Sequence, residues 1–168
     1  ILTNYLLRCN MKAMTDFNQI ENYDNEIPQH IQSYLIAKKT KQIHLAIEKF
    51  LKTNTQKELV GIDLGCGTGQ HIKAMTAQSK GVHIHGLDAS QKQLDWAKKS
   101  VKSKLIQGCI TKMPIQNGSY DFVYTINTIH HLSSKEEQKI AIKEIYRVLK
   151  PGGLCIIHEI NVTNLLIK

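Results

Sequence analysis

An α/β fold with a doubly wound, mostly parallel sheet is predicted by three features of the sequence. Over residues 59–160, apolar runs of strand composition alternate with amphipathic stretches at helical spacing, an order that favours parallel strands joined by right-handed crossovers. The run Val60-Gly61-Ile62-Asp63-Leu64 carries an acid near its end and then breaks into the alternating glycines Gly65, Gly67 and Gly69. A second run, Val82–Asp88, closes on another acid about 20 residues past the last of those glycines. In a sheet of this kind the ligand lies across the carboxyl ends of the strands.

The elements follow in order. Residues 1–30 show little periodicity; Asn22-Tyr23-Asp24-Asn25 and Ile27-Pro28 suggest an irregular segment or short helices lying across the domain. In residues 31–51, Ile43, Ala46, Ile47, Phe50 and Leu51 recur at helical spacing, so the second half of this stretch is expected to be a helix packed on the sheet. A polar linker, residues 53–57, leads into the first strand and the glycine turn, and residues 70–78 read as the next helix. Glycines suit such a turn because side chains would hold the backbone away from a ligand, and because some of its positions need a positive φ.

After the second strand, Ser90 and Gln93 are spaced as a capping box for a helix with Leu94, Ala97 and Val101 on one face. A short third strand is expected at residues 104–107, then a loop through Gly108-Cys109-Ile110 and Met113-Pro114-Ile115. Asn117-Gly118 marks a turn before a buried fourth strand, Tyr120–Ile126. Ser133 with Glu136 and Ser134 with Glu137 both fit capping boxes for a helix that turns Ile140, Ala141, Ile145, Val148 and Leu149 inward. Lys150-Pro151-Gly152-Gly153 is expected to turn sharply into a fifth strand, residues 154–160.

The totals bound the class. A chain of 168 residues and 19.1 kDa suffices for one domain, and 42% hydrophobic with 21% charged residues is ordinary for a soluble globular protein. The formal charge of +8 is spread along predicted helices; its densest group, Lys98, Lys99, Lys102 and Lys104, reads as a solvated helix face and the loop after it. Cys9, Cys66, Cys109 and Cys155 lie far apart, with no paired or zinc-type spacing, so no metal is expected and a reduced, cytoplasmic setting is. No apolar run reaches the length of a membrane span. The sequence opens on Ile1, so Met11 or Met14 is read as nearer the biological start, or the sequence as a fragment.

Two phosphate-binding fingerprints fail. The dinucleotide pattern needs a glycine at the sixth position from Gly65, which is Gln70, and no Gly-Lys-Ser/Thr follows for a P-loop. The heptad Asp63-Leu64-Gly65-Cys66-Gly67-Thr68-Gly69 instead resembles motif I of the class I S-adenosylmethionine-dependent methyltransferases. The likeness extends over residues 59–160. It includes the acid Asp88, a Met-Pro-Ile loop like Leu-Pro-Phe, a Tyr-Asp-Phe-Val strand like Phe-Asp-x-Val, the exit His130-His131-Leu132, and Arg147-Val148-Leu149-Lys150-Pro151-Gly152-Gly153. Together these resemble the branch with ubiquinone and menaquinone methyltransferases, the type 11 methyltransferases.

The resemblance implies a Rossmann-like methyltransferase fold, S-adenosylmethionine as cofactor and S-adenosylhomocysteine as product. It divides the chain into an amino-terminal cap segment and helix, residues 1–52, and a cofactor-binding domain, residues 53–168. Gly65, Cys66, Gly67, Thr68 and Gly69 would pass under the methionine and ribose, Asp63 would position the amino group, and Asp88 would hold the ribose hydroxyls. Ala89, Cys109 and Ile110 would surround the adenine, Thr125, Ile126 and Asn127 would line the transfer site, and Tyr23 would be the aromatic of the cap. Family members commonly carry Asp where Cys109 stands, so adenine recognition there would fall on backbone groups. The family sheet has seven strands; five are visible here. A truncated sequence, a degenerate protein, or a homodimer covering the edge of the fifth strand are the expectations that follow.

Methyl transfer from a sulfonium is an in-line displacement in which the protein supplies alignment and excludes water. His130 and His131 are the candidate bases for an acceptor that must lose a proton, against the plainer reading of one packed and one solvated histidine. Asp121, at the other end of its strand, reads as structural, and Cys66 as a small residue within the turn rather than a nucleophile. Glu159 either touches substrate or faces solvent. The sequence therefore predicts methyl transfer to a small organic molecule, with no nucleic-acid partner. The alternatives are a cofactor-binding fold without turnover, an RNA methyltransferase, and an NAD-dependent oxidoreductase.

Overall fold

The computed structural model describes residues 28–53 and 58–159. Tyr23 and residues 160–168 lie outside them. A helix, α1 (Gln29–Thr53), precedes β1 (Leu59–Leu64), α2 (Gln70–Thr76), β2 (Val82–Asp88) and α3 (Gln91–Ser100). Then come β3 (Leu105–Gln107), β4 (Tyr120–Ile126), a short 3-10 turn at Ile129–His131, α4 (Lys135–Val148) and β5 (Leu149–His158). The sheet runs β3-β2-β1-β4-β5 with every pairing parallel, as the alternating pattern predicts. The order reverses between β1 and β4, and the crevice at that switch is where a ligand of an open α/β sheet binds.

Two cores form because both faces of a parallel sheet must be covered. Ile43 and Ile47 of α1, Ile72 and Met75 of α2 and Leu94 of α3 pack with Leu59, Ile84, Phe122 and Tyr124 on one face. On the other, Ala141, Ile145 and Val148 of α4, with Ile110 and Met113 of the preceding loop, pack with Ile62, Leu64, Leu87 and Val123. Burying each aliphatic side chain of this kind contributes about 1.5–3 kcal/mol. Gly61 is forced by this packing, since a Cβ there would run into the Phe122 ring on the neighbouring strand.

Several boundaries differ from the sequence reading. The whole of residues 29–53 is one helix, whose first half leaves Ile31, Tyr34 and Leu35 exposed, which is why helical spacing of buried residues shows only in its second half. α2 closes at Thr76 rather than residue 78, with Ala77 and Gln78 donating their N–H groups back to Lys73 and Met75. Of the two capping boxes before α4, Ser134 is the cap, its Oγ accepting from Glu137 N at 3.1 Å; the Glu137 carboxylate accepts from both N and Oγ of Ser133. Lys150–Gly153 does not separate α4 from the strand. Leu149 already pairs with Tyr120, and the register then slips, with Gly152 at φ 76°, before Leu154 pairs with Phe122.

Two polar clusters fix the end of the sheet away from the ligand edge and the loop beside it. Asp121 is buried, accepting from Val60 N at 2.9 Å and from Lys150 Nζ at 2.7 Å, the structural role predicted for it. Arg147 donates to Glu144, to the carbonyls of Met113 and Ile115 and to Asn117 Oδ1, while Glu144 accepts from Met113 N at 2.8 Å. The Met-Pro-Ile loop is thereby held to α4.

Candidate active site

The glycine turn leaves β1 at the carboxyl edge and enters α2. Gly65, Gly67 and Gly69 all have positive φ, at 75°, 51° and 79°, so the alternation of glycines is a backbone requirement. Their surroundings differ. A Cβ on Gly65 would collide with the Thr128 side chain, whereas one on Gly67 would meet no atom within 4 Å. Gly67 therefore faces open space above the turn, and Cys66 between them is buried, with burial first and then Asp63 and Asp88 pushing its thiol far up. An un-ionised thiol of that kind is no nucleophile.

Asp88 accepts from Gly67 N at 2.8 Å through Oδ2 and from Ser90 N at 2.8 Å through Oδ1. It thus ties the turn after β1 to the end of β2, and burial raises its pKa against the pull of those backbone N–H groups. Ser90 caps α3, and Ser100 Oγ at the far end of α3 donates to Thr68 O at 3.0 Å, so α3 also braces the turn. Ala89 is half-buried beside Asp88. In the loop after β3, Cys109 Sγ lies 3.1 Å from Thr111 Oγ1, and Ile110 packs in the second core.

Asp63 is buried beside Tyr124, its register partner on β4. Its pKa is raised to about 8: burial is the main cause, the nearby Tyr124 hydroxyl pulls it partly back, and Asp88 pushes it up. The Tyr124 hydroxyl has no well-aligned hydrogen bond among the described residues. Neither do two other buried oxygens where β4 ends, Thr125 Oγ1 and Asn127 Oδ1. Asn127 is strained at φ 52°, held by its N–H donating to His158 O at 2.8 Å.

These features fit S-adenosylmethionine. Thr125 Oγ1 and Asn127 Oδ1 lie buried without partners among the described residues where β4 ends, and Gly67, past the end of β1, opens onto free space. A buried carboxyl with no cationic partner among the described residues would be satisfied by the ammonium of the methionine portion. Asp63, the glycine turn and Asp88 stand together at the ends of the adjacent strands β1 and β2. Thr125 and Asn127 stand at the end of β4, on the other side of β1.

The two histidines occupy the 3-10 turn after β4, rings 4.0 Å apart between centroids. Glu159 is the residue whose role sequence reasoning left open, and it neither points to solvent nor hangs free. Its Oε1 accepts from Thr128 N at 3.0 Å and Ile129 N at 2.8 Å, and its Oε2 lies 2.7 Å from His130 Nδ1. Burial alone would raise the Glu159 pKa, but the His130 contact and the two backbone donors outweigh it and hold the carboxyl below its usual range. No sequence spacing announces this contact, because 29 residues separate the partners. Nor does one announce His71, on the first turn of α2, which meets Thr40 Oγ1 at 3.1 Å; burial first, then Lys39 and His158, lower its pKa to about 4.

Comparison with known proteins places the fold and turn in context. A methyltransferase domain family matches residues 62–157. The uncharacterized methyltransferase YdaC of Bacillus subtilis is 39% identical over 95 residues, 55% of this chain and 51% of its own length. The tRNA (carboxymethyluridine(34)-5-O)-methyltransferase ALKBH8 of Macaca fascicularis is 30% identical over 112 residues, 67% of this chain and 16% of its own. The crystal structure of the PH0226 protein of Pyrococcus horikoshii superposes with a TM-score of 0.61 at 25% identity, covering 76% of this chain and 61% of that one. The chain thus spans about half the length of the Bacillus relative.

Proposed function

From the premise that this chain belongs to the S-adenosylmethionine-dependent methyltransferase family, we propose that it transfers the cofactor's methyl group to a small organic acceptor. The cofactor supplies the activated methyl. Asp63 positions its amino group, the turn from Gly65 to Gly69 lies beneath its methionine and ribose, and Asp88 holds the ribose hydroxyls through lone pairs left over after Gly67 and Ser90 are accepted. Ala89, Cys109 and Ile110 border the adenine. Thr125 and Asn127 line the transfer site, and His130 and His131 stand at its rim. Tyr23, outside the described residues, is proposed to close over the site.

The observation that carries this reading is the presence, at one edge, of a buried Asp63 with no cation beside it among the described residues, the open face of Gly67 and the unpartnered oxygens of Thr125 and Asn127. Nothing of a hydride-transfer site is needed to account for it. The similarity to a tRNA methyltransferase and the charge of +8 favour RNA as the second acceptor class.

The test is methyl transfer from labelled S-adenosylmethionine, offered in parallel to a small-molecule metabolite fraction and to total tRNA. Label recovered in small molecules supports the proposal. Label confined to tRNA moves the acceptor to RNA, and cofactor binding with label in neither fraction favours a fold that binds without turnover.

A further inference from the structure

Glu159 and His130 form a built pair at the rim of the proposed site, resting on the methyl-transfer reading above. One carboxylate oxygen is fixed by two backbone N–H groups, at 3.0 and 2.8 Å, so the group cannot rotate without stranding them. The other oxygen is left to face His130 Nδ1 at 2.7 Å. An ionised carboxylate only accepts, so the neutral imidazole must carry its proton on Nδ1 and keep a lone pair on Nε2. The His130 side chain is 29% exposed, so the ring is not sealed in the core. The His131 ring lies against it, and Lys39 of α1 is the cation whose field reaches Glu159.

We propose that Glu159 is a positioning residue that holds His130 as a general base, and that the acceptor is therefore a weakly acidic hydroxyl compound, such as a phenol or enol, rather than an amine. In the step, the acceptor O–H bond breaks and its proton passes to His130 Nε2; the electron pair left on the oxygen would form the new O–CH3 bond as the methyl's bond to sulfur breaks, the pair of that bond leaving with S-adenosylhomocysteine. The imidazolium formed is stabilised by the carboxylate that faces it, as in other carboxylate–histidine arrangements. An acceptor that is already deprotonated needs no such pair.

The test begins with nitrogen-15 NMR of the histidine rings in the full chain, His130 being assigned with His130→Gln. The expected result is the Nδ1–H tautomer in the neutral ring of the unaltered protein, reversed to Nε2–H in Glu159→Gln. In that variant the new amide oxygen must stay on the two backbone donors, which turns the amide NH2 toward Nδ1. An Nε2–H tautomer in the unaltered protein, or no change in the variant, overturns the positioning role.

Methylation of a phenol and of the matching aniline is then compared. The phenol is expected to react, with a rate that rises with pH in the unaltered protein and falls at least about 100-fold in Glu159→Gln. Reaction of the aniline alone, or of neither, overturns the hydroxyl class. S-adenosylhomocysteine titration of the same samples separates the two levels: its failure would sink the methyltransferase reading, whereas intact binding with a misassigned tautomer sinks only this pair.

Discussion

At the scale of the residue, Asp63 makes the sharpest claim. Folding raises its pKa to about 8, so the folded state binds this proton more tightly than the unfolded chain does. The stability linked to it is complete below the ordinary carboxyl range near pH 4 and is lost as pH rises to about 8. His71 runs the other way. Its pKa is lowered to about 4, so its contribution is complete above about pH 6.5 and disappears as pH falls. Between about pH 6.5 and 8 Asp63 is therefore the group of this pair that sets the slope. Thermal melts in the ligand-free state are expected to fall across that window, and Asp63→Asn to flatten most of the fall; an unchanged slope in the variant would refute the assignment. Asp63 itself was legible in the sequence as a strand-end acid. Its protonation was not, because that depends on burial and on the lack of a cation beside it among the described residues.

At the scale of the element, the Met-Pro-Ile loop is positioned by a helix it does not adjoin in sequence. Arg147 and Glu144 of α4 satisfy Met113 N, Met113 O and Ile115 O together, closing the loop over the second core. Arg147→Ala takes the donor from Met113 O and Ile115 O and the cation from a part-buried Glu144. A loss of about 1–3 kcal/mol in unfolding free energy is expected by denaturant titration, discounted for the solvent the pair still sees. A variant as stable as the parent would show the cluster to be ornamental. Residue patterning located β1 and β4 closely because buried parallel strands are near-continuous apolar runs, and β2 because its apolar residues alternate with His83 and His85 and end on an acid. It located α1 only in part, because the first half of that helix packs little apolar surface, and it put the start of β5 late, because the bulged pairing at Leu149 lies beneath turn-type residues.

At the scale of the whole molecule, the strand order β3-β2-β1-β4-β5 gathers acids, glycines and orphaned oxygens from distant parts of the chain onto one edge. The motif order carried that topology in the sequence, whereas the Glu159–His130 contact needed the folded sheet to bring the β5 end beside the turn after β4. Among the described residues no helix is long and apolar enough to cross a membrane, and no His, Cys, Asp and Glu group is arranged to hold a metal ion. The central claim is that the space over Gly67 belongs to S-adenosylmethionine. Gly67→Ala tests it most directly, because the new methyl touches no protein atom and its backbone strain costs only about 1–3 kcal/mol. Calorimetric titration with S-adenosylhomocysteine, with NAD as control, is predicted to show binding by the parent protein, no binding of NAD, and at least about a tenfold loss of affinity in a folded Gly67→Ala. Equal affinity in the variant, or a folded parent that binds NAD and not S-adenosylhomocysteine, would contradict it.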